Sequence, residues 1–212
     1  PVEGCSSSAT VEDVKGAHQE IVLPQAIRDG KSTKLLLGPM DGFNLRLWYI
    51  ETTHFFPERI DKDALRASLE GLISKYPCFA GRAWKDPTKM CTIWTGYEIV
   101  TDSDGGVPLA EFEMEGSATK AANDPEYIHG RGLANVPTPS EISSREDTPL
   151  MTVVLVHFAE GGSALGIAIS HGLVDGKGNA ELLKAWSFAH VHGWDHPDVP
   201  VLQVERPTCL QA

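Results

Sequence analysis

Apolar positions along the chain predict two amphipathic helices. Between Leu65 and Ile73, apolar residues recur at helical spacing, which places them on one stripe. Asp61 lies just before this stripe and is a residue type that begins helices well, and Tyr76-Pro77 ends the pattern. A second apolar stripe predicts a helix over 179–190.

The remaining apolar runs are short and typical of strands. The last two are separated by Glu160-Gly161-Gly162-Ser163, which indicates a hairpin turn. Residues 45–52 carry apolar groups on both faces, which favours a strand inside a covered sheet. Residues 38–42 read as a turn, and 116–149 as a long surface segment with one short helical turn. The predicted strands are 21–23, 34–37, 45–52, 90–94, 98–101, 107–114, 151–158 and 164–170.

Composition narrows the class of protein. The chain has 212 residues, of which 42% are hydrophobic and 22% charged, typical of globular proteins. A formal net charge of -11 disfavours nucleic acid and anionic membrane surfaces as partners. We expect a flexible tail over 1–17, a folded domain over 18–192 and a linker toward a second domain over 193–212.

The four cysteines form no CxxC pair, so the sequence indicates neither a zinc site nor a dense disulfide framework. Reduced thiols and a cytoplasmic location are therefore expected. No apolar run approaches the roughly 20 residues that cross a bilayer.

One histidine lies where function often concentrates, between a strand and a helix. The predicted strand 164–170 leads into His171, and a Gly-rich turn then leads into the second helix. His171 and Asp175 are separated by helical spacing, but Gly172 and Gly176 make a helix between them improbable. We expect a sharp loop with the imidazole on one side and the carboxylate on the other.

The run from His171 to Gly176 resembles the HxxxDG motif of the BAHD acyltransferases, part of the chloramphenicol acetyltransferase-like superfamily. Residues 76–82 resemble that family's YPxxAGR segment, and 104–108 its DxGVP turn. Residues 37–41 resemble its early LSxxD turn, with Gly in place of Ser. These matches follow the family's order over roughly 34–190.

This resemblance implies an α/β fold with a mixed sheet flanked by helices, one of two similar domains. It implies transfer of an acyl group from acyl-CoA to a hydroxyl or amine, with His171 as general base, no metal, and a role in secondary metabolism. Asp175 and Gly176 would be structural, with Asp175 paired to an arginine. The family's DFGWG run is absent, so the chain resembles the N-terminal half, and a complementary C-terminal half in the same or another chain is the expected partner.

Other interpretations remain. The chain could be a non-catalytic acyltransferase-like structural or assembly subunit. Ser163 departs from the GxSxG elbow at the last position, which argues against a serine hydrolase. The segment 190–196 holds three histidines and Asp195 that could bind a metal, but glycine and proline interrupt it and we predict no metal. His54 and Phe55 follow a strand and are candidates for the acceptor side.

Overall fold

A computed structural model of the chain describes residues 19–45, 49–85, 97–102, 105–124 and 148–204. Among these residues, no helix is both long and apolar enough to cross a membrane. The strands are β1 (Gln19–Val22), β2 (Thr33–Leu36), β3 (Tyr49–Phe56), β4 (Arg82–Lys85), β5 (Tyr97–Thr101), β6 (Val107–Met114), β7 (Met151–Phe158) and β8 (Ser163–Ser170). The helices are α1 (Gln25–Arg28), α2 (Pro39–Asn44), α3 (Lys62–Lys75), α4 (Ala118–Ala122) and α5 (Gly176–His192), and a 3-10 turn covers Pro77–Ala80.

The described strands form two sheets. The larger has the order β1-β6-β7-β8-β3 and is mixed, because β6 and β7 run parallel while the other neighbours are antiparallel. The smaller is antiparallel with the order β2-β5-β4. This architecture confirms the expected α/β fold, a mixed sheet flanked by helices.

Helices cover both faces of the larger sheet. On one face, α3 and α5 pack apolar side chains such as Leu69 and Leu182 against Leu155 and Ile167 of the sheet. On the other face, α4 covers a smaller apolar cluster around Val156. Strands β7 and β8 are buried along their whole lengths, which explains their continuous apolar runs. The neighbouring strands and helices therefore fix the position of the end of β8, which leads into His171.

The structure corrects three local predictions. Residues 38–42 were expected to be a turn, but Pro39 lies at the start of α2, where its fixed φ favours a helix. The strand expected over 45–52, inside the sheet, extends to Phe56, and among the described strands β3 pairs only with β8, at the sheet edge, while 46–48 lie outside the described residues. Helix α5 begins at Gly176 rather than 179. The strand predicted over 90–94 and the tail over 1–17 lie outside the described residues.

The segment after α5 packs on the domain over the part that the structure describes. Trp194 donates an indole hydrogen bond to the Ser68 carbonyl oxygen at 2.8 Å. Its ring lies so close to Gly71 that a Cβ there would meet it at 2.1 Å. Leu202 is buried as well. The residues up to 204 thus belong to the folded unit, and the assignment of 193–212 as a linker to a second domain stays a prediction.

Candidate functional site

The chain makes a tight turn directly after β8. The Leu173 amide donates to the Ser170 carbonyl oxygen at 2.9 Å, and the Gly172 amide donates to the Ser170 hydroxyl at 3.3 Å. Ser170 is fully buried, so its hydroxyl serves the turn. These bonds fix the backbone on both sides of His171 and set the direction in which its ring leaves the sheet.

Gly172 allows the end of α2 to approach this turn. A Cβ at Gly172 would lie 2.8 Å from the Asp41 carbonyl oxygen and 2.9 Å from the Leu45 Cα. Backbone atoms cannot yield easily, so glycine is required for this close approach. At Gly176, by contrast, a Cβ would meet open space and φ is not positive. The expected backbone need for glycine is found at Gly172, and nothing in the described residues explains Gly176.

Asp175 begins helix α5. Its Oδ1 accepts a hydrogen bond from the Gly178 amide at 2.7 Å, the geometry of a helix N-cap. Within the described part of the chain, Asp175 forms neither a hydrogen bond to His171 nor an ion pair with an arginine. The carboxylate thus organises the turn that carries His171 without contacting the imidazole, and the arginine pairing implied by the resemblance is not found among these residues.

The His171 ring is partly exposed and lines a pocket of about 310 Å³. Its Nδ1 is buried and has no hydrogen-bond partner in the described residues. An unpaired buried nitrogen costs stability, and such costs concentrate where a side chain is kept for function. The pocket combines apolar lining residues (Phe79, Leu173 and Leu202) with polar ones (Asn44, Glu181 and Gln203).

Tyr49 secures the sheet edge beside this turn. It lies opposite Ser170 in the β3–β8 ladder, and its hydroxyl donates to the Pro149 carbonyl oxygen at 2.6 Å. Burial raises the pKa of the Tyr49 phenol strongly, and the nearby charge of Arg82 opposes that rise only in part. The phenol therefore stays a neutral donor that ties the start of β3 to the residues just before β7.

The two candidates for the acceptor side lie away from the His171 pocket. His54 is paired with Leu165, six residues before His171, which is about 20 Å along a strand. Partial burial lowers the pKa of His54. Phe55 points to the opposite face and contacts Phe158, with ring centroids 6.5 Å apart. Neither residue lines the pocket, and their assignment to the acceptor side stays a prediction.

Sequence reasoning missed a buried polar network around His157 on β7. Its Nε2 lies 2.9 Å from Glu111 Oε1, and its Nδ1 lies 3.3 Å from the Ser163 hydroxyl. The same hydroxyl accepts the Ile60 amide at 2.9 Å. A serine, a histidine and a carboxylate are thus in line, as in a hydrolase triad. Because Ser163 is fully buried, no substrate reaches it, and the network is structural.

Glu111 connects this network to charges at the surface. Its second oxygen lies 3.2 Å from Lys62 Nζ, and Lys62 also contacts Glu20 at 3.4 Å. Burial alone would raise the pKa of Glu111, but hydrogen bonds from Lys62 and His157 and their charges lower it overall. Burial likewise works against the raised pKa of Lys62, which the hydrogen bonds and charges of Glu111 and Glu20 produce. The carboxylate and the ammonium thus stabilise each other in their charged forms.

The histidines near the end of α5 do not all converge. His190 Nδ1 lies 3.0 Å from the Ser68 hydroxyl on α3. His192 and His196 lie together, with ring centroids 5.4 Å apart, and both rings contact Phe188, so His190 and this pair have different partners. The described residues contain no group of three or more His, Cys, Asp or Glu side chains placed to hold a metal ion.

Solved acyltransferase structures share this fold. Vinorine synthase superposes with a TM-score of 0.58 at 18% identity, over 88% of this chain and 45% of its own. TRI101 of F. graminearum, complexed with ethyl coenzyme A, superposes with a TM-score of 0.56 at 17% identity, over 76% of this chain and 40% of its own. The chain thus spans less than half the length of these proteins.

A sequence relative agrees with these structures. A hydroxycinnamoyl-CoA:5-hydroxyanthranilate N-hydroxycinnamoyltransferase of Avena sativa is 31% identical over 123 residues, which are 58% of this chain and 26% of that protein. The model of the family described as the Transferase family matches residues 18–203, nearly the whole of the chain. The chain therefore belongs to the Transferase family, that of the BAHD acyltransferases.

Proposed function

We propose that this chain supplies the catalytic base of a cytoplasmic, CoA-dependent acyltransferase that acts on a hydroxyl or amine, with His171 as that base. The observation that carries the proposal is the position of the imidazole. It leaves a rigid strand end through a hydrogen-bonded turn and lines a pocket, while its Nδ1 is buried. The Nε2 side of the ring is therefore the side available to a ligand.

The reaction that this geometry supports needs no acyl-enzyme. The acceptor oxygen or nitrogen attacks the thioester carbonyl carbon, and His171 Nε2 takes the proton that the acceptor loses. The tetrahedral intermediate collapses, the carbon–sulfur bond breaks, and the imidazolium returns the proton to the departing CoA thiolate. The products are the acylated acceptor and free CoA thiol, and the imidazole is again neutral.

Acting as a base at Nε2 requires the tautomer that carries its proton on Nδ1. The turn buries Nδ1, so bulk water does not form a hydrogen bond with this nitrogen. Asp175 contributes by capping α5 and fixing the turn, and Gly172 by letting α2 pack against it. We assign both residues to positioning and His171 alone to proton transfer.

The relatives support CoA thioesters as donors. TRI101 structures hold coenzyme A or ethyl coenzyme A, and the Avena sativa relative is named for hydroxycinnamoyl-CoA and 5-hydroxyanthranilate. Because the chain spans less than half of the solved relatives, we propose that a complementary C-terminal half, in the same or another chain, completes the acyl-CoA and acceptor sites. The competing proposal is a non-catalytic subunit, which the same fold would serve equally well.

Release of free thiol from acyl-CoA tests the proposal. The chain, alone and mixed with a complementary C-terminal domain, is incubated with hydroxycinnamoyl-CoA and a panel of alcohols and amines. We expect turnover that His171→Ala lowers by about 10²–10⁴, the usual contribution of a general base. His192→Ala is the matched control, because this exposed histidine near the end of α5 does not line the pocket and should leave the rate within about twofold.

Two results would contradict the proposed base. Equal rates for His171→Ala and the unchanged chain would remove the imidazole from the chemistry. The non-catalytic subunit would be favoured if no complementary C-terminal domain gave turnover and if coenzyme A protected no pocket residue from chemical modification.

A further inference from the structure

The residues Val199–Val204, which we name the strap, form part of the pocket beside His171. Leu202, Gln203 and Val204 line the pocket directly. Val199 and Leu202 are buried, whereas Val201 between them is 77% exposed. The strap thus packs Val199 and Leu202 on the domain and turns Val201 to solvent, and its last three residues form one wall of the pocket.

One side chain fastens the strap at its centre. The Leu202 amide donates a hydrogen bond to the Tyr76 hydroxyl at 3.0 Å, between two buried residues. The Tyr76 backbone is itself fixed, because its amide donates to the Leu72 carbonyl oxygen at 2.8 Å where α3 ends. The edge of the Tyr76 ring also meets Trp194, with ring centroids 6.4 Å apart.

The residues that follow Tyr76 also contribute a side chain to the pocket. Tyr76 precedes the 3-10 turn Pro77–Ala80, and Phe79 of that turn is buried and lines the pocket. Tyr76 and Phe79 are three residues apart on one rigid corner. This corner therefore sets the position of Phe79 directly and that of Leu202 through the phenol.

We propose that Tyr76 is a positioning residue: its hydroxyl holds the strap as the wall of the His171 pocket and so sets how closely a ligand is confined beside the imidazole. Tyr76 contacts neither a reacting atom nor His171. Its effect passes through the Leu202 amide, whose unpaired burial would be unfavourable. The effect on substrate rests on the proposed function, whereas access of a reagent to His171 does not.

The test compares access to His171 in the 212-residue chain and in four variants. Tyr76→Phe removes only the hydroxyl, and Leu202→Ala keeps the amide but removes the wall side chain. Val201→Ala changes the exposed face of the strap. Val156→Ala is the control for general destabilisation, because this fully buried residue lies on the opposite face of the sheet. Diethyl pyrocarbonate labels His171, and site-resolved mass spectrometry gives its rate.

Loss of one hydrogen bond changes an opening equilibrium by about fivefold. We expect Tyr76→Phe to speed both hydrogen exchange at the Leu202 amide and labelling of His171 by about this factor. Leu202→Ala should speed labelling similarly, and Val201→Ala should match the unchanged chain. Labelling of Val156→Ala should also stay at the unchanged rate under native conditions, although its melting temperature falls.

Several outcomes would overturn the proposal. One is faster exchange at Leu202 in Tyr76→Phe with unchanged labelling of His171, which would make the bond merely structural. Another is equal acceleration in Val156→Ala. In an active preparation, Tyr76→Phe should raise KM about fivefold and leave kcat nearly unchanged. Accelerated labelling, together with no acyltransferase activity when the chain is combined with a complementary C-terminal half, would uphold the strap and reject the proposed function, so the two failures are distinguishable.

Discussion

Two histidines at opposite ends of the β7–β8 hairpin differ in almost every property. His157 lies near the closed end, is 3% exposed, and has a partner at each ring nitrogen. His171 follows the open end, is partly exposed to a pocket, and has a buried Nδ1 without a partner among the described residues. Both rings depend on the same two strands for their positions.

The difference teaches how to separate structural from functional polar groups in this fold. A buried histidine with both nitrogens paired lowers the free energy of the folded state and, even where it borders a pocket as His157 does, has no ring nitrogen left for a ligand. A histidine that leaves one nitrogen unpaired and turns the rest of its ring to a pocket gives up part of that stabilisation. The turn after β8 therefore has the features of a functional site, although the network at His157 has more hydrogen bonds.

Removing each ring in turn gives the largest expected contrast. His157→Ala should lower the free energy of unfolding by about 3 kcal/mol, because it opens a cavity and leaves Glu111 and Ser163 short of a partner. His171→Ala should change it by less than about 0.5 kcal/mol, since the ring is partly exposed and one nitrogen is unpaired. Urea unfolding of both variants measures the contrast. Similar losses in the two variants would show that His171 is also a structural residue.

The charged end of the His157 network should give a smaller, pH-dependent effect. Glu111→Ala should cost about 2 kcal/mol near neutral pH, because it removes the acceptor from His157 and Lys62. Folding lowers the pKa of Glu111 from its ordinary value of 4.5, so the ionised carboxylate stabilises the fold fully at pH values above 4.5. This contribution is lost as the pH falls through the lower pKa of the folded state. The cost of Glu111→Ala should therefore be smaller in acid than near neutral pH. Urea unfolding of the variant and the unchanged chain under both conditions measures this difference.

Glu113→Ala serves as the control for Glu111→Ala. Glu113 is on the same strand and contacts Arg59 at 2.7 Å, but both side chains are largely exposed. Its loss should cost less than about 1 kcal/mol. A cost for Glu111→Ala that does not vary with pH would mean that its charge is not what stabilises the network.

Asp175→Ala should cost less stability than Glu111→Ala, and it tests whether the cap positions the turn at His171. Loss of a helix N-cap costs about 1 kcal/mol. Asp61→Ala is the matched control, because Asp61 caps α3 through the Ala64 amide at 2.9 Å, far from the turn. Thermal unfolding should show equal losses, and labelling of His171 by diethyl pyrocarbonate should change only in Asp175→Ala. An unchanged labelling rate there would mean that the cap does not position the imidazole.

Local signals predicted much of this architecture. The Asp61 cap and the apolar stripe up to Ile73 predicted α3 closely, because both are encoded within a few residues of each other. Strand β7 was predicted with its observed bounds, and β8 differs by one residue. The turn at His171 was expected to be a sharp loop, and its hydrogen bonds to Ser170 confirm this.

The errors in predicting α2 and the start of α5 also come from local sequence signals. Helix α2 was missed because Gly38 and Gly42 indicate a turn, although Pro39 at the first helical position favours a helix. The apolar pattern placed the start of α5 at 179 because Gly176 and Gly178 are poor helix formers and add nothing to the apolar stripe.

The site could be predicted only in part, because its contacts join distant segments. His171 was predicted from its place between a strand and a helix. The pocket could not be, since Asn44, Phe79 and Leu202 come from three parts of the chain with no shared local pattern. The bond between His157 and Glu111 links residues 46 apart on parallel neighbours, and register of that kind is set by the whole sheet.

The parallel pairing of β6 with β7 has a consequence for the order of folding. The two strands are joined by the whole stretch 115–150, whereas β7 and β8 meet across four residues. Closing the short loop loses little chain entropy and closing the long one loses more, so the hairpin should assemble early and β6, with β1, should add late. When the whole chain refolds, the strand that leads into His171 should thus be paired before β6 and β1 add to the sheet.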